Sequence, residues 1–400
     1  MGGPLAGVRI IDISTILMGP LATQVVADLG AEVIKIESLG GDDARHVGNA
    51  PSPGIGPNFI HISRWKKSLA VDLKRPEGRE IVLRLAETCD AMLSNIRPAA
   101  LGRLGLDYAA FKARNPKLVY VSLVGYGRGG RYAAKPAYDD LVQAASGIPM
   151  LVQRALGGEP RYVPLALADR IVGLQGTNML LAGLLNAQRT GVGQEVELPM
   201  FETMVQFVMG EHLGGQSYDP PTGPYGYPRL LSPNRKPFAT RDGYIGVLPY
   251  NDAQWTRFFA ATGHGDLMTR DERFSNIGRR AANIDALYGL VAEILVERST
   301  AEWLRILEEA DIPAMPLHTL ESIGDDPHLK DVGFFQTIDH PLAGRMRTMP
   351  QPGSWSETPI DPAGPAPALG QHTRSILAEA GYADDEVERL IGDGVVATAD

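Results

Sequence analysis

Asp169 stands in the context PLALADRIVGL, where an apolar stretch passes into a long helical pattern, and two chemistries suit a carboxylate placed there. As an N-cap it would accept backbone N–H bonds from the first turn, a role that aspartate favours. Alternatively, the positive end of the helix dipole would hold it ionised beside apolar neighbours, ready to attack an acyl carbon. Residue types alone leave both readings open. Three groups of basic residues follow strand-like runs: Arg64, Lys66 and Lys67; Arg97 and Arg103; Arg128, Arg131 and Lys135. Loops after the strands of an open α/β sheet share one edge, so these cations point to an anionic ligand with several phosphates.

Other motifs argue against common alternatives. Gly125, Gly127 and Gly130 spell GxGxxG after a strand-like run, but Pro136 blocks an immediate helix. No acidic residue follows on the next strand-like run, Ile148 to Gln153, so the dinucleotide fingerprint is incomplete. Glu37 ends the second strand-like run, where a ribose-binding acid would sit, yet the preceding turn STILMGP holds one glycine. The sequence contains no GxSxG, HExxH or GxxxxGK[ST] pattern. His46 and His61 are a conceivable general base pair, although scattered histidines are more often structural or solvated. Cys89 is the only cysteine, which excludes an intrachain disulfide and a cysteine-cluster metal site.

These residues need elements to hold them. GVRIIDI (7–13), AEVIKIE (31–37), AMLSN (91–95) and LVYVSLV (118–124) read as buried strands. Helical spacing from Leu21 to Leu29 and from Pro76 to Leu85 separates them, and short helices follow Pro98 and Asp107. A long helix, roughly Asp169 to Arg189, leads into the alternating strand QEVELPM. Strands alternating with helices imply right-handed crossovers and a parallel sheet, a doubly wound α/β pattern. The 400 residues carry 38 Lys+Arg against 47 Asp+Glu, a formal charge of −9, which argues against nucleic acid and anionic membranes as partners. The longest apolar run, Met179 to Leu185, is far short of a membrane span, and no export signal or lipid anchor is evident at the start. A reducing, cytoplasmic setting is expected.

Between Gly214 and Gly243 the chain is crowded with Gly, Pro and Tyr, which reads as a crossing linker. The expected organisation is therefore a large domain over 1–212, a linker over 213–242, and a smaller α+β domain over 243–330. Residues 331–400 would return to the large domain, with a short helix near 370–382.

Several blocks resemble the family III CoA-transferases, also called the CaiB/BaiF family. They are GVRIIDISTILMGPLATQVVADLGAEVIKIE, WKKSLAVDLKRPEGR, NIRPAALGRLGLDY, NPKLVYVSLVGYGRGG, KPAYDDLVQAASG and ADRIVG, followed by DERFSNIGRRAANIDAL, TAEWLRILEEADIPAMPLHTL, DPHLKDVGFF and DHPLAGRMR. The resemblance runs nearly the length of the chain. It implies a Rossmann-like large domain built from both chain ends, a small domain between them, and two subunits interlocked as a homodimer. It also implies transfer of coenzyme A from an acyl-CoA donor to a small carboxylic acid, with no tightly bound cofactor and no metal. On the matching positions, Asp169 is the nucleophile that becomes an aspartyl-CoA thioester, and Lys66, Asn95, Arg97, Arg103 and Lys135 hold the CoA nucleotide portion. An acyl-CoA racemase of the same family uses a histidine where this chain has Tyr138, which argues against that activity. A non-catalytic CoA-ester binder is the third reading. Oxalate-acting members carry glutamine at the position of Leu17 and tryptophan at that of Gly48, so this chain departs from them.

Overall fold

The computed structural model describes residues 2–399, which form two compact units. The first comprises the chain up to Ser146, Val163–Gln206 and the chain from Pro327 onward; the second comprises Gly147–Tyr162 and Phe207–Asp326.

The chain opens with β1 (Arg9–Ile13), α1 (Met18–Asp28), β2 (Glu32–Glu37), α2 (Pro57–Ile62), β3 (Lys67–Val71) and α3 (Pro76–Ala86). Then come β4 (Ala91–Ser94), α4 (Pro98–Arg103), α5 (Tyr108–Arg114), β5 (Val119–Val124) and α6 (Asp139–Ala145). After α7 (Ile148–Leu156) of the second unit follow α8 (Leu167–Thr190), β6 (Glu195–Pro199) and α9 (Met200–His212). One sheet orders the strands β12-β3-β2-β1-β4-β5-β6, all parallel except for β12 (Val396–Ala397) at the edge. The chain leaves β1 toward β2 and β3 on one side, then crosses to β4 and β5 on the other. Such a reversal opens a crevice at the carboxyl ends of β1 and β4.

Both sheet faces are covered, which is why the strands read as continuous apolar runs. Ile11, Ile34, Leu69, Met92 and Tyr120 pack with Ile81 of α3 and Phe111 of α5. The alternate residues face α1 and α8. Glycines let α8 lie close: an added Cβ at Gly173 would stand 2.7 Å from the Met18 carbonyl oxygen, and one at Gly183 would stand 2.5 Å from Val119 Cγ1. The tight seat of α8 fixes where its first turn, and so Asp169, emerges.

The second unit holds a three-stranded antiparallel sheet of β7 (Phe238–Ala239), β8 (Tyr244–Val247) and β9 (Ala314–Pro316). Its helices are α10 (Asp252–Ala261), α11 (Leu267–Arg270), α12 (Ile277–Ala282), α13 (Ile284–Leu295) and α14 (Thr300–Glu309). Phe258, Phe259 and Trp303 fill its core. Asn251 and Ser299 start α10 and α14 as capping boxes. The first unit resumes with α15 (Pro327–Asp331), the hairpin β10 (Gln336–His340) and β11 (Gly344–Thr348), α16 (Thr373–Glu379), α17 (Asp384–Gly392) and β12 (Val396–Ala397).

The two units divide the chain at 206/207 and 326/327, and residues 213–242 fall within the second unit. Ile148 to Gln153 is helical, with Pro149 in the first turn of α7. Strand β3 and helix α17 add to the elements expected from sequence.

Candidate active site

The crevice at the ends of β1 and β4 is shaped by a loop, Ser14 to Leu17, tied down at each residue. Thr15 N–H donates to Asn95 Oδ1 at 2.9 Å, and Asn95 Nδ2 donates to the Thr15 carbonyl at 2.8 Å. Ile16 N–H donates to Asp42 Oδ1 at 3.0 Å. Ile16 has φ 68°, a left-handed conformation that a β-branched residue keeps only when its surroundings impose it.

Those surroundings are a buried charge network. Asp12, in register with Lys35 across β1 and β2, receives Lys66 Nζ at 2.9 Å and Thr23 Oγ1 at 2.6 Å, and Ser14 Oγ also donates to it. Lys35 pairs with Asp42 at 2.8 Å and donates to the Ser14 carbonyl at 2.9 Å. Burial alone would raise the Asp12 carboxyl, but Lys66 and Lys35 hold it down at about 2. Burial brings the Lys66 ammonium down to about 8 in spite of Asp12.

Lys66, expected among the ligand-holding residues, is fully buried and spends its donors on Asp12, Thr23 and the Pro20 carbonyl, so in this structure it supports the crevice floor. Asn95 lines the crevice, but its amide is committed to Thr15.

The other expected site residues converge. A cavity of about 220 Å³ is lined by Asn95, Arg97, Lys135, Tyr138, Asp139 and Asp169, among others. A second hollow of about 460 Å³ shares Arg97, Pro98, Val124 and Ala133 with it and adds Arg103. A third, of about 490 Å³, lies beyond the Thr15 turn, over the ends of β2 and β3.

Asp169 is the third residue of α8, and the helix is capped at Ala166 without a side-chain bond. The N-cap reading is therefore replaced by a first-turn carboxylate. Its ionisation also differs from the dipole expectation: burial, with Asp139 adding to it and Arg170 opposing, lifts its pKa to about 6. Its backbone N–H donates to Asp139 Oδ1 at 2.9 Å. Sequence reasoning missed Asp139 as part of the site; the only signal is that it opens a short helix after Pro136.

The basic groups separate into used and free. Arg64 pairs with Asp28 at 2.6 Å, Lys67 with Glu32 and Glu379, and Arg128 with Glu195 and Glu197. Arg97, Arg103, Arg131 and Lys135 are exposed, with no carboxylate partner among the described residues. The glycine motif holds no phosphate cradle, because Gly127 N–H donates to Glu202 and Arg128 N–H to Glu197. Glu37 is gripped by Arg45 through two 2.7 Å bonds and by Ser68, so it is not free for a ribose. His46 and His61 do not line the Asp169 cavity, and no histidine does. Among the described residues no group of three metal-binding side chains occurs, and no helix is long and apolar enough to cross a membrane.

A sequence model of the family described as CoA-transferase family III matches residues 5–373. The succinyl-CoA:glutarate CoA-transferase of Mus musculus is 32% identical over 406 residues, covering 98% of this chain and 90% of that protein. The succinyl-CoA:mesaconate CoA-transferase of Haloarcula marismortui is 30% identical over 392 residues, covering 95% and 97%. The crystal structure of a CAIB/BAIF family protein from Brucella suis aligns with a TM-score of 0.77 at 30% identity, over 95% of this chain and all of that one.

Proposed function

The chain belongs to CoA-transferase family III, and from that premise we propose that it moves CoA between carboxylic acids through a thioester on Asp169. The observation that carries this reading is a half-buried carboxylate at the start of a helix, in a cavity also lined by Arg97 and Lys135, cations with no carboxylate partner among the described residues. The Asp169 carboxylate attacks the donor thioester carbonyl, and CoA leaves as the thiolate, giving a mixed anhydride. The thiolate then attacks the Asp169 carbonyl and expels the donor acid as its carboxylate, leaving aspartyl-CoA. An acceptor carboxylate reverses both steps. With its pKa near 6, Asp169 is mostly ionised at neutral pH, as the first attack requires.

Arg97, Arg103 and Lys135 hold the CoA phosphates, and the three adjoining hollows offer room for an extended ligand. Succinyl-CoA with a short dicarboxylic acid is the first pair to test, since two relatives are named for such substrates. The racemase reading lacks its base: Tyr138 is 70% exposed at the cavity rim and no imidazole lines the cavity. The active form is proposed to be an interlocked dimer, supported by Leu174 and Leu185, 52% and 56% exposed on a helix with apolar residues on every face.

The test is chemical. Wild-type protein given an acyl-CoA donor and hydroxylamine should yield a hydroxamate on the peptide carrying Asp169, and Asp169→Asn should lose nearly all transfer. A label on another residue, or normal turnover by the Asn variant, overturns the mechanism.

A further inference from the structure

We infer that Asp139 and Gln143 form a clamp that positions Asp169, a role that rests on Asp169 being the nucleophile. Asp139 is the first residue of α6, and Gln143 lies one turn further on the same face, the spacing at which side chains of a helix meet. Gln143 is fully buried. Its Nε2 donates to Asp139 Oδ2 at 2.6 Å and to the Leu165 carbonyl at 3.2 Å, while its Oε1 accepts from Val163 N–H at 3.1 Å. A flipped amide would set its oxygen against two acceptors and its NH₂ against a donor, so only one orientation satisfies the site.

The amide thus grips the segment 163–165 that runs into α8, and it orients Asp139 at the same time. With Oδ2 held by Gln143, Oδ1 of Asp139 is left to accept the Asp169 N–H at 2.9 Å. Three bonds therefore place the first turn of α8: two between Gln143 and the chain entering it and one between Asp139 and the nucleophile's own backbone. A capping role within α6 does not account for this, because Asp139 Oδ1 accepts from a residue thirty positions away rather than from its own helix.

The clamp has an electrostatic side as well. The Asp139 carboxylate faces the Asp169 carboxylate and opposes its ionisation, Arg170 on α8 favours it, and Arg97 and Lys135 line the same cavity. A carboxylate with a raised pKa is a stronger nucleophile once ionised. Asn removes the charge and keeps one acceptor oxygen for the Asp169 N–H, but it gives up the acceptor that Gln143 Nε2 uses, so the acid limb reads the charge and kcat reads the position.

The experiment compares Asp139→Asn, Asp139→Ala and Gln143→Leu in the full chain, with circular dichroism checking the fold of each. Transfer is assayed with succinyl-CoA and a short dicarboxylic acid, or with whichever pair proves active. Asp139→Asn should move the acid limb of kcat/KM down by about half to one pH unit. Asp139→Ala and Gln143→Leu should lower kcat about 10- to 100-fold, as misplacement of a reacting group does, with the KM for the CoA ester unchanged. An acid limb that stays in place in Asp139→Asn, together with near-normal kcat in Asp139→Ala, overturns the clamp. A KM rise with kcat intact also overturns it, because that would make Asp139 a ligand contact. Hydroxylamine labelling of the wild type separates the two levels: a label away from Asp169 refutes the nucleophile, whereas a label on Asp169 with unresponsive variants refutes only the clamp.

Discussion

Replacing Asp169, the proposed nucleophile, should make the protein more stable. The Asp169 carboxyl has an ordinary pKa of 3.8 and is lifted to about 6 by burial and by Asp139. Its folded pKa exceeds its unfolded one, so between about pH 4 and 6 the folded state binds more protons than the unfolded chain. Stability then falls as pH rises through that window, and the full penalty applies above about pH 6. About two pKa units at 1.36 kcal/mol each set a ceiling near 3 kcal/mol. Asp169 lines an open cavity where solvent screens part of the effect, so about 1–2 kcal/mol is expected. Asn has no charge to bury and nearly the same shape. Asp169→Asn should therefore melt about 1–2 °C higher than wild type at neutral pH, and the gap should close below about pH 4. Paired urea titrations of the two proteins across this range would measure it, because pH effects common to both cancel in the difference. A variant that is no more stable at neutral pH, or a gap independent of pH, would refute the account of Asp169 as a carboxylate held against its preference.

Other expectations concern the ligand, the crevice floor and assembly. Arg97→Ala and Arg103→Ala should each weaken CoA-ester binding by about 1.5–3 kcal/mol, the worth of a charge-assisted hydrogen bond; calorimetry giving unchanged affinity in both variants would remove them from the site. Lys66→Met leaves the buried Asp12 carboxylate without its ion pair, with only Lys35 across the sheet and the Thr23 and Ser14 hydroxyls to hold it, so unfolding free energy should drop by about 3–5 kcal/mol. A stable Lys66→Met protein with weakened CoA-ester affinity would restore Lys66 as a ligand contact. If the chain works as an interlocked dimer, dilution should not release folded monomers, and light scattering that shows a stable monomer at low concentration would exclude that assembly.

What could be read from sequence follows from how each element is stabilised. Strands β1, β2, β4 and β5 announce themselves because both of their faces are buried, which leaves near-continuous runs of Ile, Val and Leu. Strand β3 begins Lys67-Ser68, and Ser68 earns its place by donating to Glu37 at 2.7 Å, a long-range reason that local pattern does not carry. Ile148 to Gln153 is apolar throughout, so its period is ambiguous, and only tertiary context makes it helical. Asp169 was legible as a carboxylate at a helix start, and Arg97, Arg103 and Lys135 as cations after strands. Lys66 looked the same as these by type and position. What separates it is Asp12, a charge inside the strand RIIDI that faces Lys35 in register and needs partners from distant segments. Charged residues within strands buried on both faces are the signal that could have exposed the network, and with it the inward turn of Lys66.

The ionisation of Asp169 shows why position on a helix was insufficient to predict chemistry. A carboxylate in the first turn gains about 0.3–1 kcal/mol from the helix dipole, less than one pKa unit. Burial beside a second carboxylate acts in the opposite direction and lifts the group by about two units, so burial decides the outcome. The two effects differ in where their causes lie: the dipole follows from Asp169 being the third residue of α8, whereas the opposing effect comes first from burial and then from Asp139, thirty residues earlier and held in place by Gln143. The result suits the proposed reaction. A carboxylate held near 3.8 would be ionised but weakly nucleophilic, and one pushed far above neutrality would be protonated and inert. At about 6 it is mostly ionised at neutral pH and more basic than an ordinary aspartate, so removal of the Asp139 charge is expected to increase its ionised fraction at acid pH while making each ionised carboxylate a poorer nucleophile.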